Sequence, residues 1–300
     1  MRKPVARISA GSRSWKSARA TQCANNLKQL GLGVRQHEQA IGYFPTGGWG
    51  IYMVGDPNCG TGTKQPGSWF YNTLPYIEQQ ALHDQGLGQT GAAKQASLVI
   101  QITTPLAVIN CPTRRSLRLF PMANWQSSNY APPPPNTTHS DYAINTGDGT
   151  TVQYFGPAYA DAVGKTPPPA VISDTGVSYL CSKVTMASVL DGASNTYMIG
   201  EKYIDPDFYF NGGDSGDNEC VMSGFDDDND RVGNVNFPPW QDRSGLSEAN
   251  GWRFGSAHPN GFQMAFCDGS VHVISFSIDP ETHRRLSNRA DGLPIDAKQW

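Results

Sequence analysis

No stretch of this chain approaches the roughly 20 consecutive apolar residues that carry a helix across a bilayer. The opening, residues 1–20, is polar and basic and lacks the apolar centre of a secretory signal. Charge is also scarce: 16% of residues are Asp, Glu, Lys or Arg, and the net charge is -3. That balance offers no basic surface, so nucleic acid is not expected as a partner. The six cysteines include no C-x-x-C pair, which argues against a zinc ribbon and leaves disulfides in an oxidising compartment open. A G-x-S-x-G elbow is missing as well, so Ser256, His258 and Asp268 do not read as a hydrolase triad. With neither a nucleophile motif nor metal-ligand spacing, the chain is expected not to be an enzyme.

Glycine and proline, by contrast, are plentiful. The 32 Gly and 22 Pro imply many turns and long loops around a core that the 38% hydrophobic content is large enough to build. The clearest periodic segment is residues 17–42. Cys23, Leu27, Leu30, Val34, His37 and Ile41 recur at alternating steps of four and three, laying one narrow stripe along a helix. Gly42 and Pro45 end it, while Gly31 and Gly33 weaken its middle by about 1 kcal/mol each relative to Ala. Such a helix needs a sheet to cover its stripe.

Further along, residues 68–83 read as helical pieces divided by Pro75, and residues 106–110 as a short strand stopped by Cys111-Pro112. Strands are expected at 140–147 and 196–203. Residues 205–250 read as a long loop region. Residues 262–267 and 270–276 form a hairpin across Asp268-Gly269, taken as a two-residue turn that pairs Phe266 with Val271 and Met264 with Val273. Asp279 caps a last helix.

Several blocks carry a family likeness. They are QCANNLKQLGLG from Gln22 with YFP from Tyr43, Ser68-Trp69 with LPYIEQ from Leu74, and Cys111-Pro112. DGASNTYMIGE from Asp191 and GFDDDNDR from Gly224 follow. SAHPNG from Ser256 leads to Asp268-Gly269 after nine residues counted from His258, an H-X9-DG pattern. In this order the chain resembles a bacterial pilin-like family of unknown function, with a prepilin-type N-terminal segment and a closing H-X9-DG signature. The resemblance implies an α+β, pilin-like fold: an N-terminal helix packed on an antiparallel β-sheet with long loop insertions. It divides the chain into residues 1–42, the helix, and 43–300, a globular α+β domain. It implies location in the cell envelope or outside the cell, and self-assembly or assembly with other pilin-like subunits. An envelope solute- or saccharide-binding protein is the alternative. The family's apolar stalk is replaced here by the polar residues 1–20, so membrane anchoring is expected from the family but not encoded in this chain. An apolar segment encoded upstream, or a frayed helix start, is the corresponding expectation.

The marks of the blocks are Cys23, Asn25, Asn26, Cys111, Asp191, Gly192, Ser194, Asn195, Glu201, His258, Asp268 and Gly269, all read as structural, with no catalytic residue among them. His258 and Asp268 are separated by a strand spanning about 20 Å. They are therefore expected at its opposite ends, with Gly269 at positive φ. Asp226, Asp228 and Asp230 alternate as in a calcium loop but lack its glycine, leaving calcium and a solvated acidic loop neutralised by Arg231 as equal readings. No other cofactor is expected. Trp49, Tyr52, Trp69, Tyr71, Trp125, Tyr130 and Tyr154 are read as packing over the sheet in preference to binding a glycan.

Overall fold

A computed structural model describes residues 10–122, 129–150, 153–169, 174–245 and 251–296. Among the described residues five α-helices follow in order: α1 (Ala10–Ile41), α2 (Trp69–Thr73), α3 (Gln80–His83), α4 (Gly91–Ile102) and α5 (Pro280–Ser287). The strands are β1 (Phe120–Pro121), β2 (Asn136–Thr137), β3 (Tyr142–Gly147), β4 (Tyr197–Glu201), β5 (Asp230–Val232), β6 (Trp240–Gln241), β7 (Gly255–Ser256), β8 (Phe262–Phe266) and β9 (Val271–Ile274). The central sheet runs β5-β3-β4-β8-β9 and is antiparallel except where β5 joins β3. The architecture is thus mixed α+β, with an N-terminal helix on a mostly antiparallel sheet.

Helix α1 begins earlier than its periodicity implies, but its stripe is placed as the spacing requires. Cys23, Leu27, Leu30, Val34 and His37 are buried, and Ile41 is half-buried. Cys23, Leu27, Leu30 and Val34 meet Met198 and Ile199 of β4 and Ala265 of β8 in one core. Each Leu or Val covered in this way contributes about 1.5–3 kcal/mol. Gly42 closes the helix at φ +91°, its N–H donating to the Glu38 carbonyl. The opposite face of β8 carries Phe262, Met264 and Phe266 into a second, aromatic core with Tyr197, Phe254 and Leu286 of α5. Alternating side chains of one strand therefore hold both helices.

Pro75 divides residues 68–83 as expected, into α2, a 3-10 turn over Leu74–Ile77, and α3. Two expectations are corrected. Residues 106–110 are not a strand but enclose a 3-10 turn, Ala107–Ile109. Asn26 explains this, because its Nδ2 donates to the Asn110 carbonyl at 2.9 Å and so takes an acceptor that a sheet would need. The hairpin register is also shifted by one. Ala265 faces Val271 and Met264 faces His272, because the connection is three residues, Cys267, Asp268 and Gly269. Asp268 Oδ1 accepts from Ser270 N–H at 2.8 Å and from its hydroxyl at 2.7 Å, and Gly269 sits at φ +84°. That left-handed third residue is the geometry of a three-residue hairpin loop.

The two mid-helix glycines differ in purpose. A Cβ at Gly33 would lie 2.7 Å from both Ile77 Cγ2 and Thr73 Cγ2, whereas at Gly31 it would meet the flexible end of Met198 at 3.1 Å. Gly33→Ala is accordingly expected to destabilise the protein by about 1–3 kcal/mol through overpacking, outweighing the gain in helix propensity of about 1 kcal/mol. Gly31→Ala should be neutral or stabilising. Urea midpoints of the two variants check the contrast.

Candidate functional site

Two buried polar constellations lie on the α1 side and at the sheet's β5 end, joined by a chain of ion pairs. The first gathers Cys23 from α1, Cys111, Glu201 at the end of β4, and His258 from the loop before β8. All four are buried, and one donor atom from each lies within 4.8 Å of every other. The Cys23 and Cys111 sulfurs are 2.6 Å apart, Cys111 Sγ is 3.6 Å from His258 Nε2, and that nitrogen is 3.2 Å from Glu201 Oε1. The other Glu201 oxygen accepts from Gln263 N–H at 2.8 Å, which fixes the carboxylate. Burial works against a charged His258, but its bonds to Cys111 and Glu201, together with the Glu201 charge, hold it up to about 10. The Cys111 thiol is pushed up by its contact with Cys23 and by burial.

The ion chain starts one residue-plane away. Asp141 accepts from the Cys111 N–H at 2.6 Å through Oδ2. Its Oδ1 pairs with Arg114 at 3.0 Å and Arg115 at 2.9 Å. Arg114 also holds Asp242 at 2.9 Å, while Arg115 holds Asp217, which Lys202 Nζ reaches at 3.0 Å. Every side chain in this series is buried. Burial opposes the Asp217 carboxylate, but Arg115 and Lys202 outweigh it and hold it well below the usual carboxylate range.

Beyond Lys202, whose Nζ also donates to the Asp228 carbonyl at 2.8 Å, lies the acidic knot. Its placement corrects the sequence reading on two points. The knot is not a solvated loop: Asp226, Asp227, Asp228 and Asp230 are all buried. Arg231 does not neutralise it by pairing, since its guanidinium donates to the carbonyls of Arg253, Asp230 and Gly216. The converging carboxylates are Asp226, Asp227 and Asp228, with Asp230 outside the group. The N–H groups of Asn229 and Asp230 both bond back to the Asp226 carbonyl. That turn brings consecutive residues together. Oδ2 of Asp226, Oδ2 of Asp228 and Oδ1 of Asp230 are buried without a hydrogen-bond partner among the described residues. Burial, then mutual repulsion, raises Asp226 well above its ordinary value, and Asp228 is pushed up to about 7 despite Lys202.

The remaining block residues serve local geometry. Asn25 and Ser194 are exposed. Asn26 ties α1 to the Cys111 segment. Asp191 accepts from the N–H groups of Asp291 and Gly292, Gly192 takes φ +98°, and Asn195 donates to the Asp191 carbonyl. His258 and Asp268 keep different company: His258 joins the four-donor cluster, whereas the Asp268-Gly269 turn is gripped by α1. Lys28 Nζ donates to the Gly269 carbonyl at 2.6 Å, and Arg35 to that of Cys267. The Ser256 hydroxyl accepts from His258 N–H. Trp49, Trp69, Tyr71 and Tyr130 are buried, Tyr52 and Tyr154 half-buried, and Trp125 lies outside the described residues.

Sequence reasoning missed the four-donor convergence because its members are far apart along the chain. The only available signal was that each is the chemically distinctive residue of a different block. Fold and site together describe an α+β protein whose reactive side chains are enclosed between a helix and a sheet. A family model described as a protein of unknown function (DUF1559) matches residues 16–281, and the chain belongs to that family. No curated protein and no solved structure matches it.

Removing Asp141 leaves Arg114 and Arg115 buried with half their counter-charge gone. Asp141→Ala is expected to cost about 3–5 kcal/mol in urea unfolding. A loss below about 1 kcal/mol, the range of exposed pairs, would show that water reaches these groups.

Proposed function

We propose that the chain is a non-enzymatic, pilin-like subunit of the cell envelope that acts by assembling with copies of itself or with related subunits. The observation that carries this reading is the division of α1. From Cys23 onward its stripe is sealed against the sheet, whereas Ser17, Ala18, Arg19, Thr21 and Gln22 are exposed. A 32-residue helix is about 48 Å long, more than its covered part needs, and its upper turns are left to meet something else. Among the described residues no helix is long and apolar enough to cross a membrane, so the reading rests on lateral contact of helices. The alternative, a saccharide- or solute-binding protein, has less behind it, because the aromatic side chains that would stack on a ligand are mostly packed inside. Cysteine placed by Ser17→Cys and treated with a thiol cross-linker on intact producing cells is expected to give a cross-linked dimer in the envelope fraction. The exposed loop variant Leu190→Cys should not. Monomer alone from both, in the soluble fraction, would overturn the proposal.

The same reading gives the acidic knot a bound calcium ion that fastens the loop layer beneath β5. Its support is the set of buried, unpartnered carboxylate oxygens with no ion-paired cation of their own among the described residues. Calcium takes carboxylate and carbonyl oxygens at about 2.3–2.6 Å. Calcium added to chelator-treated protein at a hundredfold above Kd should raise Tm by about 5 °C. The variant Asp228→Asn should lose the response. An unchanged wild-type Tm would remove calcium from the account.

A further inference from the structure

The cluster of Cys23, Cys111, Glu201 and His258 has a composition that neither the ion chain nor the acidic knot shares. Two sulfurs, one imidazole nitrogen and one carboxylate oxygen form a mixed soft and borderline donor set, four in number. Calcium and magnesium prefer oxygen alone, whereas zinc takes thiolate, imidazole and carboxylate together in a tetrahedron. From these residues the geometry points to a structural zinc site that pins α1 to the sheet.

The distances bear this out in detail. Zinc–ligand bonds of about 2.0–2.3 Å place tetrahedral ligands about 3.3–3.8 Å from one another. The separation of 3.6 Å between Cys111 Sγ and His258 Nε2 falls within this spacing, and that of 3.2 Å between the same nitrogen and Glu201 Oε1 lies just below it. The two sulfurs, at 2.6 Å, need to part by about 1 Å to admit the ion. Supporting bonds are in place around the ligands. Gln263 N–H holds the Glu201 oxygen that faces away, the Ser256 hydroxyl holds the His258 backbone, and Asp141 holds the Cys111 N–H. Glu201 Oε1 faces the cluster, its one contact there being His258 Nε2 at 3.2 Å. A surface cavity of about 620 Å³ has His258 in its lining, together with Arg19, Thr113 and Pro259.

All four coordination positions are supplied by the chain, which marks the site as structural, since a catalytic zinc keeps one position open. Coordination requires both thiols as thiolates and the imidazole neutral. Entry of one Zn²⁺ therefore displaces the two thiol protons and takes the His258 imidazole through its neutral Nε2, with no change in oxidation state. The four ligands come from helix, loop, strand end and hairpin approach. One ion thus crosslinks segments 88, 90 and 57 residues apart in succession along the chain. The assignment is independent of the assembly proposal, because it concerns how one subunit is held together.

The test uses the full chain, reduced and metal-free, titrated anaerobically with zinc against a chromophoric chelator, and in parallel with cobalt as a spectroscopic substitute. The expected result is one tightly held equivalent, with the intense visible bands and near-ultraviolet sulfur charge transfer of tetrahedral cobalt thiolate. Cys111→Ser and His258→Gln should weaken binding about a hundredfold or more, while Cys220→Ser, buried elsewhere, should not. Glu201→Asp, which keeps the carboxylate, should retain the cobalt spectrum even where the harsher variants fold poorly. Failure of the reduced wild-type chain to take up zinc overturns the assignment. So does equal binding by wild type and His258→Gln, or recovery of Cys23 and Cys111 as a disulfide that, once reduced, does not bind the metal.

Discussion

The buried run of alternating charges from Asp242 through Arg114, Asp141, Arg115 and Asp217 to Lys202 is the constraint on which the rest of this molecule depends. Taking such groups out of water costs several kcal/mol per ion, recovered only when every charge meets its opposite with good geometry. Each member here touches the next, and the ends are caught by backbone. Lys202 donates to two carbonyls, and Asp242 accepts from the Ile204 N–H and the Tyr209 hydroxyl. Arrangements that meet this condition are few. The series thereby sets where the loops around residues 111–115, 205–217 and 226–242 must lie, although they contain little regular structure. Hydrophobic burial drives the collapse, and the charge series selects which collapsed state is acceptable.

Strand β8 does the corresponding work for the apolar part. Phe262, Met264 and Phe266 face the aromatic core and α5, while Gln263, Ala265 and then Cys267 face α1. A one-residue slip would exchange these sets, placing ring systems against α1 where a Cβ at Gly31 would already lie 3.5 Å from Ala265 Cβ. The three-residue Asp268-Gly269 connection prevents that slip, and Lys28 and Arg35 seat it directly on α1.

What the sequence made legible was periodic or local. The stripe of α1 obeys a helical repeat, Pro75 interrupts its segment, Asp279 caps α5, and Gly269 turns the chain, each through interactions spanning a few residues. The hairpin register escaped because a two-residue and a three-residue loop differ only in whether Ser270 is captured by Asp268. The short apolar run 106–110 escaped because its fate is decided by Asn26, more than 80 positions earlier. The same holds for the site. Cys23, Cys111, Glu201 and His258 were each identifiable as marks of separate blocks, but nothing in linear spacing reports that a helix, a loop and two strand ends bring them to one point. For the acidic knot, alternation singled out Asp226, Asp228 and Asp230, whereas a turn that bonds back to Asp226 gathers the neighbours Asp226, Asp227 and Asp228.

The strand order also carries a kinetic consequence. Helix α1 is covered by β4 and β8, whose residues follow it near positions 200 and 265. Its apolar stripe shares a core with Trp69, Phe70 and Leu74, made soon after it, but the sheet that seals it comes only once most of the chain has emerged. Pairings between positions so distant close slowly, because the intervening loops have to be ordered before any contact rewards them. During that interval the stripe is the most adhesive surface on the nascent chain. Its narrowness, one residue per turn among Lys28, Arg35, Glu38 and a succession of glutamines, keeps the exposed helix soluble until the last hairpin arrives to claim it.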